Sequence, residues 1–228
     1  MSKLNYLVLT LLISLSFYAQ SNDSLTISFK PLFDAVPLEI NKTYVSAKKD
    51  TLSVSSFKCY ISNIEIQYAD KSVVKVKNSY HLLDIENPNS LQFPIAKKSE
   101  KQISKIVFTI GIDSLTSTSG ALGGDLDPIN GMYWAWQSGY VNMKLEGQSS
   151  SCATRKHQFQ FHLGGYLQPY AAMRRKTIIV NAVGDISIGI DVSIFFGAIE
   201  LQHINSIMIP GKEAMDLSDL SAKMFRLE

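Results

Sequence analysis

Residues 51–68 read TLSVSSFKCYISNIEIQY and carry the longest strand pattern of the chain. Apolar side chains recur at every second position, at Leu52 and Val54, then at Phe57, Cys59 and Ile61, and in the opposite phase again from Ile64. Successive side chains of a strand point to opposite faces of a sheet, so this alternation predicts a long strand with one buried face. The change of phase at Ser62-Asn63 predicts a bulge or bend within it.

Similar segments lie on both sides of this strand, with turn residues between them. They are residues 25–29, 73–85 and 103–112, a candidate hairpin formed by 141–146 and 157–162, and a second formed by 176–183 and 186–196. Residues 212–225 instead space their apolar side chains as a short amphipathic helix does. We therefore predict an all-β, single-domain antiparallel β-sandwich, or a related barrel, with a short C-terminal helix.

The N-terminus has the layout of a cleavable export signal. Lys3 supplies a positive charge, Leu4–Phe17 is almost entirely apolar, and the small residue Ala19 stands before a polar stretch. The apolar run is short for a membrane-spanning helix. We predict that residues 1–20 are a signal peptide and that residues 21–228 form a periplasmic or secreted domain with no membrane span after its removal.

Charge and motifs exclude several classes of function. The chain has 22 basic and 20 acidic side chains, a formal net charge of +2, so the basic excess typical of nucleic-acid-binding proteins is missing. It contains no nucleophile elbow and no phosphate-binding loop. Asp125 and Asp127 could form a carboxylate pair, but an Asp-rich turn explains them equally. We predict that the protein is not an enzyme and has no catalytic residues.

Two cysteines, Cys59 and Cys152, leave two interpretations open. In an oxidising compartment they could form a disulfide. Alternatively, Cys59 is a core residue of a strand and Cys152 an unpaired thiol in a loop.

Both tryptophans of the chain lie close together. In an extended strand Trp134, Trp136 and Tyr140 would share one face, opposite the apolar face that carries Met143. Large aromatic side chains outside the core mark a binding surface. The alternative is that the Gly- and Ser-rich segment 114–130 folds over them and makes a second small core.

The histidines form no local metal-binding motif. His162 alternates with Phe159 and Phe161, so it points away from their face of the strand, while His81 and His203 stand alone in other segments. A metal site would have to be assembled across strands. Imidazole nitrogen suits copper and zinc.

Four pieces of the sequence together resemble the MbnP-like domain of bacterial periplasmic proteins. They are FKCYISNI at 57–64, GGDLDPINGMYWAWQSGY at 123–140, KLEG at 144–147 and FHLGG at 161–165. The resemblance covers nearly all of the mature chain. That family is named for a periplasmic partner associated with copper uptake through methanobactin, and it is related in function to copper proteins that bind the metal with an oxidised tryptophan.

The resemblance implies copper as the cofactor and His162 as a ligand, with His81 and His203 as weaker candidates. It makes Trp134 or Trp136 the candidate for oxidation, with a di-haem enzyme of the MauG type as the modifying partner and a copper-chelating small molecule as a further partner. The expected function is copper sequestration or transfer. The alternative is a module that binds a non-metal ligand or a protein through the Trp134/Trp136 face.

Overall fold

The computed structural model describes residues 23–137 and 139–228, so the predicted signal peptide lies outside the described residues. The strands are β1 (Ser24–Phe33), β2 (Val36–Pro37), β3 (Thr43–Val45), β4 (Thr51–Tyr68), β5 (Val73–Lys75), β6 (Tyr80–Asp84), β7 (Gln92–Lys97), β8 (Ile103–Ile110), β9 (Tyr133–Trp134), β10 (Gly139–Ser149), β11 (Gln158–Gly164), β12 (Arg174–Ala182), β13 (Ile186–Asp191), β14 (Ser206–Ile207) and β15 (Phe225–Leu227). The α-helices are α1 (Ser114–Thr118), α2 (Val192–Ala198) and α3 (Lys212–Ser221).

The long strand β4 organises the larger sheet. Cys59 pairs with both β6 and β10, and Ile61 pairs with both β6 and β8. Because a strand has only two edges, β10 and β8 must lie end to end on the edge opposite β6. The register shifts between Ser62 and Glu65, and Asn63 has a φ of 51°. The predicted bulge is therefore confirmed.

The smaller sheet packs on the larger one and closes the sandwich. Its order is β15-β13-β1-β2, with β7 also paired to β1. Apolar side chains of both sheets meet in one core, in which Phe29, Phe57, Phe108 and Phe161 are at most 2% exposed. The sandwich and the short C-terminal helix are confirmed. Two strand pairs, β1 with β13 and β11 with β14, are parallel and depart from the antiparallel pattern.

The two candidate hairpins have different outcomes. β10 and β11 pair antiparallel, as predicted. β12 and β13 do not pair, because β12 joins β8 in the larger sheet whereas β13 joins β1 in the smaller one. The chain therefore crosses between the sheets at Gly184. The strand predicted to reach residue 196 ends at Asp191, whose carboxylate accepts the backbone N–H of Ser193 and caps α2.

Within the described residues, the structure contains no helix long and apolar enough to cross a membrane.

Candidate functional site

A second, smaller core lies on the outer face of the larger sheet. The segment between β8 and β9 folds over this face, and Leu126 within it is buried. The buried members are Tyr60, Leu82, Ile112, Leu126, Met132, Trp134, Tyr140 and Val141. The segment predicted as the cover of the aromatic residues thus covers most of them.

Hydrogen bonds fix this covering segment at defined points. The Tyr60 hydroxyl donates to the carbonyl of Asp125 at 2.8 Å, and the Tyr140 hydroxyl donates to the carbonyl of Leu126 at 3.0 Å. The Asp125 carboxylate accepts the backbone N–H of Leu82 at 2.9 Å, and that of Asp127 accepts an N–H within its own turn. The Asp127 carboxylate therefore serves its own turn and the Asp125 carboxylate ties the covering segment to β6, so both have structural roles.

The two tryptophans occupy different environments. Trp134 ends β9, which forms a tight hairpin with β10, and its indole is only 7% exposed. Trp136 lies in the turn of that hairpin and is 63% exposed, with the two ring centroids 6.0 Å apart. The predicted common face is therefore wrong, because the chain reverses between Trp134 and Tyr140 instead of continuing as one strand. Trp134 is therefore buried in the second core, whereas Trp136 is exposed to solvent.

Trp134 lies directly over β11. A Cβ atom on Gly164 would be 2.7 Å from its Cζ3 atom, so the missing side chain makes room for the indole. Gly164 is two residues from His162, and residues two apart in a strand share a face with a separation of about 7 Å. The fold therefore brings the buried tryptophan and the predicted histidine ligand to neighbouring positions on one face.

His162 forms a close pair with Glu146 of β10. Its Nε2 lies 2.6 Å from Oε1 of Glu146, and the imidazole side chain is 11% exposed. The hydrogen bond from His162, opposed in part by burial, lowers the pKa of Glu146 below its usual range. Glu146 is therefore charged at neutral pH and fixes the orientation of the imidazole ring.

Lysines surround this pair. Lys144 lies opposite His162 in the register, and Lys58 lies opposite Lys144 on the other side. The Lys58 ammonium pairs with the Asp84 carboxylate at 2.9 Å. A cation bound beside His162 would meet Lys144 in particular, whose charge the Glu146 carboxylate offsets, whereas Asp84 offsets that of Lys58.

The other two candidate histidines lie elsewhere. His81 stacks on Phe93 with ring centroids 3.7 Å apart, on the side of β6 that faces the main core. His203 lies in the turn after α2, is 68% exposed, and has its Nε2 3.8 Å from Glu200. These two weaker candidates therefore lie in other parts of the fold than the β10–β11 pair that carries His162. Among the described residues, no three His, Cys, Asp or Glu side chains converge as a metal centre would require.

Cys59 and Cys152 are both buried free thiols in this structure, which agrees with the second of the two interpretations, without a disulfide. Cys59 lies opposite Met143, whereas Cys152 follows Ser149, which lies opposite Leu52. Seven residues of β4 separate these positions, about 23 Å along a strand. A disulfide requires Cα atoms within about 7 Å.

A shallow cavity lies at the end of the sheet near Trp136. It has a volume of about 430 Å³ and is bounded by residues 165–170, by Pro210-Gly211 and by Gln137, the neighbour of Trp136. Leu167 and Tyr170 on its wall are largely exposed. Its position, uncharged lining and size suit a neutral organic ligand.

The donor set at His162 fits a single copper ion only in part. It offers one imidazole and one carboxylate, with an aromatic neighbour, and any further ligand would come from outside this pair. Sequence reasoning missed Glu146 and Gly164. The signal for both was the predicted pairing of 141–146 with 157–162, which places Glu146 near His162 but does not fix the register.

Comparison with known proteins agrees with this architecture. A family model named MbnP matches residues 22–209. The solved structure of MbnP from Methylosinus trichosporium superposes with a TM-score of 0.55, over 82% of this chain and 81% of that chain, at 11% sequence identity. That similarity concerns the fold. No curated protein matches the sequence.

Proposed function

Because the chain belongs to the MbnP family, we propose that it is a periplasmic or secreted protein that binds copper at His162 and sequesters or transfers it. One observation carries the proposal: the fold places a paired histidine and a buried tryptophan at neighbouring positions on one sheet face. Imidazole is a suitable copper ligand, and the His162 side chain is only 11% exposed. The role is binding, without catalysis.

Trp134 is the tryptophan that we assign to the copper site. Its indole lies over Gly164, two residues from His162, whereas Trp136 lies in an exposed turn. If a tryptophan is oxidised to supply a ligand, Trp134 is the candidate, because its indole packs on Gly164 of the strand that carries His162. A di-haem enzyme of the MauG type would be the modifying partner, and a copper-chelating small molecule would deliver or receive the metal.

The copper content of the mature protein tests the proposal. We expect about one copper per chain in protein purified from its native periplasm and dialysed. His162→Ala should reduce the copper to background. His203→Ala is the matched control, because His203 is exposed and lies in the turn after α2, outside the β10–β11 pair, and it should retain the metal. Background copper in folded wild-type protein, before and after addition of Cu(I), would refute the proposal.

The second candidate function is binding of a non-metal ligand or a protein beside Trp136. An exposed tryptophan next to an uncharged cavity favours it. Under this function, Trp136→Ala abolishes ligand binding while copper remains at background in every variant. Retained copper in Trp136→Ala, together with its loss in His162→Ala, would favour the copper site instead.

A further inference from the structure

The contact between His162 and Glu146 identifies which imidazole nitrogen is available to a metal. Nε2 and Oε1 are 2.6 Å apart, which is the separation of a short, charge-assisted hydrogen bond. An ionised carboxylate can only accept a hydrogen bond, so the proton belongs to Nε2.

The distance of 2.6 Å also argues against Nε2 of His162 and Oε1 of Glu146 binding the same metal ion in the observed geometry. With metal–ligand bonds of about 2.0–2.1 Å, a gap of this size requires an angle of about 80° at the metal, far below the tetrahedral value of about 109°. The observed geometry is instead that of a histidine oriented by a carboxylate. Histidines that bind metals commonly donate their other ring N–H to such a group.

We propose that Glu146 is a positioning residue that holds the proton of His162 on Nε2 and leaves Nδ1 as the nitrogen that binds the metal. This inference rests on the proposed copper function but makes a separate statement about the metal-free protein. Glu146 would also offset the charge of Lys144, which lies opposite His162. A substitution at Glu146 should therefore act on the imidazole before any metal is added.

Nitrogen NMR of the ¹⁵N-labelled, metal-free mature protein tests whether Glu146 holds the proton of His162 on Nε2. The neutral ring of wild-type His162 should be in the Nε2–H form. Glu146→Ala should give a mixture of both neutral forms. Glu146→Gln should retain the wild-type form in part, because its carbonyl still accepts a hydrogen bond. Gln148→Ala, two residues along the same strand, is the matched control and should leave His162 unchanged.

Titration with Cu(I) under anaerobic conditions tests whether Nδ1 of His162 is the nitrogen that binds the metal. The resonance of His162 Nδ1 should shift on binding, and Glu146→Ala should weaken the affinity by about 10–100-fold. A wild-type ring protonated on Nδ1, or an unchanged affinity in Glu146→Ala, would overturn the inference. If wild-type protein takes up no Cu(I) while His162 is in the Nε2–H form, the proposed function and the Nδ1 assignment fail, and the positioning role of Glu146 stands.

Discussion

Gly164→Ala should displace Trp134 from its place over β11. The new Cβ would lie 2.6 Å from the carbonyl oxygen of Tyr140 and 2.7 Å from Cζ3 of Trp134, both well inside the ordinary contact distance of 3.4 Å. One obstacle is backbone of the paired strand, which cannot turn away as a flexible side chain can. Overpacking of this kind costs about 1–3 kcal/mol.

Urea unfolding, followed by circular dichroism, measures this cost. Gly123→Ala is the control, since its Cβ would meet nothing within 4 Å, and it should change the stability by less than about 0.5 kcal/mol. In a Trp136→Phe background Trp134 is the remaining indole of the chain, so its fluorescence should shift to longer wavelength when Gly164→Ala exposes it. Wild-type stability with unchanged emission would refute the placement of Trp134.

Three further predictions concern other parts of the fold. Tyr140→Phe removes the hydroxyl that anchors the covering segment and should cost about 1 kcal/mol, with faster proteolysis there; equal cleavage rates would contradict it. Burial raises the pKa of Cys59, and raises that of Cys152 to about 11, so both thiols should resist alkylation in the folded protein. Both should react after unfolding without reductant, whereas a protein that gives no adduct until it is reduced would restore the disulfide. Burial lowers the pKa of His81 from its usual 6.5, so folding opposes the protonation of this side chain. The stability that depends on neutral His81 is therefore complete above pH 6.5 and is lost as the pH falls towards the lowered pKa. His81→Phe keeps a ring on Phe93 and should reduce the loss of stability between pH 7.5 and 5.5 seen in urea midpoints, and an unchanged loss would exclude His81 as its source.

The sequence predicted the features of the fold that depend on neighbouring residues alone. Alternation over residues 51–68 predicted β4 with its bulge, and apolar spacing after Gly211 predicted α3. The pairing of strands could not be predicted in the same way. The alternation within a strand indicates which of its faces is buried, but not which other strand it pairs with. β12 and β13, adjacent in sequence, therefore looked like a hairpin although each pairs with a different sheet.

The candidate site depended on features that short-range patterns do not carry. Val141 and Met143 are two residues apart and would share a face in a regular strand. The register of β10 shifts between them, so Val141 packs in the second, smaller core while Met143 packs in the main core. A tight turn likewise separated Trp134 from Trp136. Each feature is a local irregularity of one or a few residues, and each reverses the face on which the following side chains lie.

The separation of the two tryptophans also separates the two functional hypotheses. Trp134 is near His162 and away from solvent, so removal of its indole should affect a metal at that face. Trp136 is exposed and its sequence neighbour Gln137 lines the cavity, so we expect its removal to affect a ligand held there. Because the rings are only 6.0 Å apart, a ligand on Trp136 could still change the emission of Trp134. Copper content and ligand affinity, measured on both single variants, therefore discriminate the two functions better than fluorescence does.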